Sequence, residues 1–379
     1  MRPIRLAHLH SSTGIYGAER WTATQIKHLS KELLAPVVIT LGTKAGSALF
    51  HDWLRARGHE AEHIAIPGRF SLRAVGQLRR VLRERRIEIL HTHGFKSDVM
   101  GFFASRGLPV ALVATPHGWS ADEGFRIRVY ESISRLFLRH FDRIYPLSPA
   151  LLEDLRRRGY PDRKLRLILN AVDTAAFEAC FDARRVRLPG ESFHVLFVGR
   201  LCRPKGVFEL IEAFARATVP CKMELRLVGD GPELRTLEAR CRELGMESNV
   251  RFVGAVDDVS PHLQWSSVLV LPSHSEGIPR VLMEAFSAGV PVIGTAISGI
   301  QQLVSDGVTG LLVQVGDVDG LAHALVRFAT APDDAQRMAD KAREVVLTHF
   351  SAKRQAREFE HEYRHLLTGD LKPATSSSG

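Results

Sequence analysis

Glu276 and Glu284 stand eight positions apart in the stretch SEGIPRVLME, across a glycine and a proline. Proline suits the first turn of a helix, where its missing N–H is not needed. Pro279 then opens a helix, with Glu276 in the loop before it and Glu284 well inside, two turns spanning about 11 Å. The free N–H groups near Arg280 to Leu282 face outward at such a start, where an anion is favoured. A diphosphate fits that interval, and a carboxylate at each end can accept hydrogen bonds from hydroxyls of a sugar and of a ribose. Taken alone, the same pair could equally be two solvated charges at a helix start. The stretch VGRLCRPKG adds Arg200 directly after an apolar run and Lys205 five residues on, in a Pro-Lys-Gly turn. A diphosphate leaving a sugar gathers negative charge, and fixed cations lower the barrier to its departure. Two exposed loop cations would read the same way.

These residues need rigid elements to aim them. The first half alternates the runs IRLAHLH, PVVITL, IEILHTH, VALVATP and RIYPLS with amphipathic segments. That alternation predicts βαβ units. A second series runs through FHVLFVGRL, ELRLVGD, NVRFVG, SVLVLPS, VPVIGT and GLLVQVGD, again with helical patterns between. The expected architecture is α/β: two Rossmann-like, doubly wound parallel-sheet domains facing a cleft. The expected boundaries are 1–175 for the first domain, 176–190 for a linker and 191–350 for the second. A helix is expected at 351–371 and a disordered tail at 372–379. In an open α/β sheet, ligands bind beyond the carboxyl ends of the strands, and the charged motifs fall just after predicted strands.

Composition narrows the function classes. The chain has 379 residues, 45% of them apolar and 25% charged, ordinary proportions for two globular domains. Its four cysteines lie far apart without zinc-finger spacing, which points to a reducing compartment and no structural metal. The amino-terminal apolar run is too short for a signal peptide and no segment reaches membrane-spanning length. A cytoplasmic protein is expected, peripheral on the inner face of the plasma membrane if it touches a membrane at all. Residues 1–187 hold 31 Lys+Arg against 18 Asp+Glu, and the remainder 20 against 24. The first half therefore carries +13 and is expected to meet something anionic. No nucleic-acid module or aromatic stacking set accompanies that charge, so nucleic acid is not the expected partner.

Residues 193–317 resemble the donor domain of glycosyltransferase family 4, a retaining family with the GT-B fold. The resemblance is carried by VGRLCRPKG, LRLVGDGPE, VRFVG, VLVLPSHSEGIPRVLMEAFSAGVPVIGT and DGVTGLLVQVGD in that order, with Glu276 and Glu284 as the family's paired glutamates. It implies that Arg200 and Lys205 bind the donor diphosphate and stabilise the leaving nucleoside diphosphate. Glu276 then meets the transferred sugar and Glu284 the ribose, with Gly277, Ile278, Pro279, Val281 and Leu282 along the donor. It also implies metal-independent chemistry, and no Asp-x-Asp stands at a strand end. No bound cofactor is expected; a UDP-, GDP- or ADP-linked sugar is the substrate.

The first half is similar to the same family, and the resemblance implies that 1–175 binds the acceptor, that 191–350 binds the donor and that the helix at 351–371 crosses back to the first domain. In SSTGIYGAERWT, Gly17 with Glu19 and Arg20 resembles the Gly-Gly-x-Glu loop, although Gly14 and Gly17 are separated. His117 in ATPHGWSAD matches the histidine beside the transferred sugar, and His93 in HTHGFKSD also falls at a predicted strand end. ILNAVD resembles an interdomain turn in which Asn170 and Asp173 shape the hinge, and Ser298 and Gln302 depart from the family pattern. Retention without an enzymic nucleophile implies front-face attack, in which the leaving phosphate oxygen takes the acceptor's proton and the protein positions and neutralises.

Two basic amphipathic stretches complete the reading. SLRAVGQLRRVLRERR sets Leu72, Val75, Val81 and Leu82 near one helical face with Arg73, Arg79, Arg80, Arg83, Arg85 and Arg86 around it. FRIRVYESISRLFLRHFDR mixes Phe125, Ile127, Val129, Phe137 and Leu138 with Arg126, Arg128, Arg135 and Arg139. Each serves as a core-packed helix with a solvated face, or as a contact with anionic lipid headgroups that brings the enzyme to a lipid-linked acceptor. The resulting expectation is a hexosyltransferase of cell-surface polysaccharide or lipopolysaccharide biosynthesis, with a glycan hydroxyl as acceptor. The alternatives are a GT-B nucleotide-sugar epimerase, which would turn over without an acceptor, and a non-catalytic nucleotide-sugar-binding scaffold.

Overall fold

The five apolar runs of the first half, with one more strand at Ala61–Ala65 not expected from the sequence, form a six-stranded sheet in the computed structural model, which describes residues 2–11, 14–15, 17–42, 47–66, 71–117, 136–184, 188 and 190–368. Strands β1 (Ile4–His10), β2 (Leu34–Gly42), β3 (Ala61–Ala65), β4 (Ile89–His93), β5 (Ala111–Ala114) and β6 (Arg143–Ile144) all pair in parallel, in the order β3-β2-β1-β4-β5-β6. Parallel neighbours need long crossovers, and helices supply them. Among these are α1 (Gly17–His28), α2 (Ser47–Ala56), α3 (Leu72–Glu84) and α4 (Phe95–Ser105), while α5 (Pro149–Arg157) follows β6.

Alternation along β1 sends its side chains to two cores. Ala7 and Leu9 pack with Leu78 and Leu82 of α3 and Met100 and Ala104 of α4. Leu6 faces the other way, into a core with Trp21, Ile89, Val113, Phe359 and Tyr363. The last two belong to the final helix of the chain, so this unit is discontinuous: Met1–Asn170 together with Ala352–Gly379.

The second unit, Ala171–Ser351, repeats the plan. After a 3-10 turn (Thr174–Phe177) and α6 (Glu178–Asp182) come β7 (Phe193–Val198), β8 (Met223–Val228), β9 (Val250–Gly254), β10 (Val268–Leu271), β11 (Val292–Thr295) and β12 (Leu311–Val313). They form one parallel sheet in the order β12-β11-β10-β7-β8-β9. Its helices are α7 (Val207–Arg216), α8 (Leu234–Glu243), α9 (Ser260–Trp265), α10 (Arg280–Ser287), α11 (Ser298–Gln301), α12 (Val318–Thr330) and α13 (Pro332–His349). In each sheet the first and fourth strands are neighbours, and the strand order reverses there. That is β1 beside β4 and β7 beside β10, and a doubly wound sheet offers a ligand its crevice at this switch point.

The last helix, α14 (Ala352–Thr368), packs on α1 within the first unit. Helix α3 turns the expected face inward in part: Leu82 is buried and Val75 and Val81 pack against the core beside Ala74 and Leu78, whereas Leu72 is 78% exposed. Ser71 caps the helix by accepting from the Ala74 amide, and Leu72 in the first turn lies beyond the reach of the core. In the second basic stretch, Leu138 is buried and Phe137 packs on Phe102 and Phe103. Phe125, Arg126, Ile127, Arg128, Val129 and Arg135 lie outside the described residues, as does the tail at 372–379. Among the described residues no helix is long and apolar enough to cross a membrane.

Candidate functional site

The loops at the carboxyl ends of β7, β8, β10 and β11 are held against one another by hydrogen bonds and close backbone approaches. After β7, the Gly199 amide donates to Val228 O, and Leu201 donates to Asp230 O. A 3-10 turn, Arg203–Lys205, then ends on Gly206, whose φ of +66° is left-handed. A Cβ on Gly206 would lie 1.9 Å from Pro272 O, so both its conformation and its contact exclude a side chain. The loop after β10 answers with the His274 amide donating to Pro204 O at 2.9 Å. Ser273 O accepts from Thr295 Oγ1 at the end of β11. Gly299 in α11 backs onto the same loop: a Cβ there would lie 1.7 Å from Gly277 O and 2.3 Å from Glu276 O.

The charged residues follow from that stitching. Lys205 Nζ donates to Glu276 Oε1 at 2.5 Å, and Ser273 Oγ donates to the same oxygen at 2.8 Å. The other oxygen of Glu276 makes no hydrogen bond to a described residue, so it is free to accept from a ligand hydroxyl. Arg280 Nε donates to Glu284 Oε1 at 2.7 Å, one helical turn along, and Arg280 Nη1 is buried without a partner among the described residues. Arg200 is exposed and its guanidinium makes no ion pair with a described residue. The two cations expected to act as a pair thus differ: Lys205 is held by a carboxylate, and Arg200 is open to solvent.

Helix α10 begins at Arg280, one residue later than expected, with Pro279 as its cap residue and no side-chain cap. The Leu282 amide closes onto Pro279 O at 3.2 Å, leaving those of Arg280 and Val281 without a backbone acceptor among the described residues. The side chains of Ile278 and Leu282 are buried in the core, so these two residues can meet a ligand only through their backbone. Gly277 has open space where a Cβ would stand. Contrary to the expectation from sequence, an Asp-x-Asp pair, Asp317 and Asp319, does follow a strand, β12, but both carboxylates are spent locally. Asp317 caps α12 through the Gly320 amide at 2.8 Å, and Asp319 pairs with Arg216 at 2.7 Å. A hollow of about 640 Å³ lined by Arg184, His194, Trp265 and Gln336 lies at the opposite, amino edge of this sheet and contains none of the expected site residues.

In the first unit, the switch point is occupied by histidines. The register pairs His8 with His91 and His10 with His93 on adjacent strands, and residues two apart share a face. His8 Nδ1 and His93 Nε2 are 2.9 Å apart, and His93 Nδ1 lies 3.2 Å from His117 Nε2, two residues beyond Thr115 at the end of β5. His93 is the last residue of β4 rather than a loop residue past it. His91 bonds Tyr363 OH at 2.6 Å through Nδ1 and Thr115 Oγ1 at 2.7 Å through Nε2. His10 Nε2 meets Thr22 Oγ1 at 2.7 Å, and its Nδ1 lies 3.8 Å from Glu19 Oε1. Gly17 is the first residue of α1, with open space beside it.

Burial drives this cluster towards the neutral state. It lowers the pKa of His8 to about 3 and those of His91 and His93 well below the usual imidazole value, and neighbouring histidines add to the effect. His117 is lowered by the chain packed around it and by His10, against Glu19, and its exposed outer edge lets water temper the shift. Ring nitrogens of His8, His91 and His93 lie within 4.8 Å of one another, a spacing a metal ion could use, but both nitrogens of His91 and of His93 are already bonded, and only His8 Nε2 is without a partner among the described residues.

Residues 15–176 match the model of Glycosyltransferase Family 4, and residues 181–345 match that of Glycosyl transferases group 1. The chain belongs to glycosyltransferase family 4. Among its relatives is the N-acetyl-alpha-D-glucosaminyl L-malate synthase of Bacillus anthracis, 26% identical over 310 residues, covering 79% of this chain and 81% of the relative. Another is the UDP-Gal:alpha-D-GlcNAc-diphosphoundecaprenol alpha-1,3-galactosyltransferase of Escherichia coli, 28% identical over 272 residues, 68% of this chain and 70% of the relative. Among solved structures, Anabaena HepE in complex with UDP and glucose superposes with a TM-score of 0.82 over 95% of this chain and 99% of that one, at 21% identity, which shows the shared GT-B fold.

For this family-4 glycosyltransferase the structure joins Lys205 to Glu276, sets Glu284 in α10, and puts His117 against His93. It also brings in residues that sequence reasoning passed over: Ser273, Arg280, Gly299, His8, His10, His91 and Tyr363. One signal was present. His8-x-His10 and His91-x-His93 each repeat at the strand period, so each pair had to share a face.

Proposed function

We propose that this glycosyltransferase moves a sugar, with retention and without a metal ion, from a nucleotide-sugar to a hydroxyl of a glycan. The reading rests on one observation: the loops at the β7/β10 switch point press Lys205 against Glu276 beside the uncapped start of α10. A donor diphosphate near the amides of Arg280 and Val281 would be neutralised by them, by Lys205 and by Arg200 as it departs. Lys205 and Ser273 hold one oxygen of Glu276, leaving the other for sugar hydroxyls; Arg280 does the same for Glu284 and the ribose. Gly17 and His117 would meet substrate from the strand ends of the first unit. No side chain is assigned as a base, because the departing phosphate oxygen takes the acceptor's proton while the protein positions both partners.

The acceptor is proposed to be lipid-linked and the pathway one of surface polysaccharide or lipopolysaccharide, with the basic amino-terminal half on an anionic membrane face inside the cell. The name of the E. coli relative, with its diphosphoundecaprenol acceptor, supports that choice. The UDP and glucose held by HepE make UDP-glucose the first donor to try. A ligand that binds only the native state raises the melting midpoint. UDP-, GDP- and ADP-linked sugars are therefore tested by thermal shift with and without EDTA, followed by nucleoside diphosphate release with and without acceptor. One base class should shift the midpoint in both conditions. A panel with no shift, or turnover of donor to an isomer without acceptor, would overturn the reading.

A further inference from the structure

His8, His93 and His117 form a continuous file of rings running from inside the sheet to its carboxyl edge, through contacts of 2.9 and 3.2 Å. His91 stands beside it, bonded separately to Tyr363 and Thr115, and His10 stacks on His93 with centroids 4.4 Å apart but bonds Thr22. A neutral imidazole carries one N–H and one lone pair, so the proton order along the file can run in only two directions. If His117 donates inward, His93 donates to His8 Nδ1, and His8 must hold its proton on Nε2. That atom is buried without a partner among the described residues. If the file runs outward, His8 Nδ1–H donates to His93 Nε2 and His93 Nδ1–H donates to His117 Nε2. The atom left over is then a lone pair rather than an N–H, and orphaned buried N–H groups are the rarer defect in folded proteins. A protonated ring, which would donate from both nitrogens, is disfavoured because burial and the adjoining histidines lower His8 and His93.

We propose that His8 and His93 are positioning residues that fix the tautomer of His117, so that it carries its proton on Nδ1 and meets substrate as a hydrogen-bond donor. The inference rests on the reading of His117 as a substrate residue, and it deepens that reading. The Nε2 lone pair of His117 is occupied by His93, so the ring has no free basic nitrogen while the file is intact. What it offers is an N–H suited to an oxygen of the transferred sugar or of the departing phosphate. Which ring nitrogen is protonated is set by the partner on the other one, and here that partner is itself set by a third ring.

The test reads the tautomer directly in the full-length protein. Isotope-labelled histidine and two-bond proton–nitrogen correlation spectra at neutral pH distinguish a protonated ring nitrogen from a bare one, and His117→Gln identifies the signals. The expected result is a protonated Nδ1 and a bare Nε2 at His117. His93→Phe removes the inner donor and should move the proton to Nε2; His93→Asn, whose amide can replace the lost N–H, should keep it on Nδ1. Turnover should fall about 10- to 100-fold in His93→Phe, the scale on which an outer hydrogen-bond partner acts, and recover largely in His93→Asn. A His117 protonated on Nε2 in the unaltered protein overturns the proposal, and that measurement stands even if a variant fails to fold. An unmoved proton in folded His93→Phe overturns it too. If the tautomer is as expected but His117→Ala transfers sugar normally, the substrate role of His117 is refuted while the file of rings stands.

Discussion

Gly299→Ala tests the link between packing and chemistry in the carboxyl-terminal unit. The added methyl would lie 1.7 Å from Gly277 O and 2.3 Å from Glu276 O, where real contacts do not fall below 3.0 Å. Either α11 or the 276–277 loop must therefore move by about 1.3 Å. The obstructing atoms are backbone, so no rotamer change relieves the contact. A misplacement of about 1 Å at a reacting centre costs about 10²-fold, or about 2.7 kcal/mol of transition-state stabilisation. Overpacking of this kind also destabilises by about 1–3 kcal/mol, or about 2–12 °C of melting midpoint for a unit of this size. Donor-dependent nucleoside diphosphate release and differential scanning fluorimetry measure the two effects separately. Donor affinity and turnover within about threefold of the parent, with an unchanged midpoint, would refute the reasoning, because the close approach would then be absent or irrelevant to the site.

Gly277→Ala is the converse, since a methyl there meets no protein atom. The midpoint should stay put while KM for the donor rises, and an unchanged KM would remove the donor from that space. Lys205→Ala should lower kcat about 10²- to 10³-fold by removing a cation from the transition state. It should barely alter the melting midpoint, because a partly exposed ion pair contributes little to stability; steady-state kinetics alongside a melt checks both. The first unit should weaken in acid. His8, His91 and His93 are held neutral in the fold, so below the ordinary value of 6.5 the unfolded chain takes up protons that the native state refuses. Stability is full above that value and falls as pH drops towards 3, by up to about 1.4 kcal/mol per pH unit for each ring. A urea midpoint for this unit that stays flat on acidification from neutral pH would contradict the burial of those rings.

The strands were legible because a parallel sheet buried on both faces is written as near-continuous apolar runs, and β4 and β10 are buried at every position. The acidic pair and Lys205 were legible by type and spacing. Their pairing was not: Lys205 and Glu276 are 71 residues apart and meet only because β7 and β10 are neighbours at the switch point. The same limit hid the histidine file, since His8 and His93 are 85 residues apart, and alternation within one strand says nothing about which strand lies beside it. Helix α3 was legible in part: Val75, Val81 and Leu82 face the core as expected, but an apolar residue in the first turn can overhang the core's edge, so Leu72 is exposed while Ala74 and Leu78 complete the face. Gly299 was marked only as the residue after Ser298, which departs from the family pattern; what it approaches was not legible, because a close backbone approach has no signature in the glycine itself.

The first unit closes only with α14, whose Phe359 and Tyr363 fill the face opposite α3 and α4. A ribosome emits the stretch to Asn170 first and the covering helix only after the whole second unit. The nascent sheet must therefore wait with Leu6, Trp21 and Tyr145 uncovered while its successor matures, a natural station for a chaperone. A stop codon just after Ser351 would cut no residue from the second unit, yet it would leave the earlier-made unit unfinished and prone to aggregate.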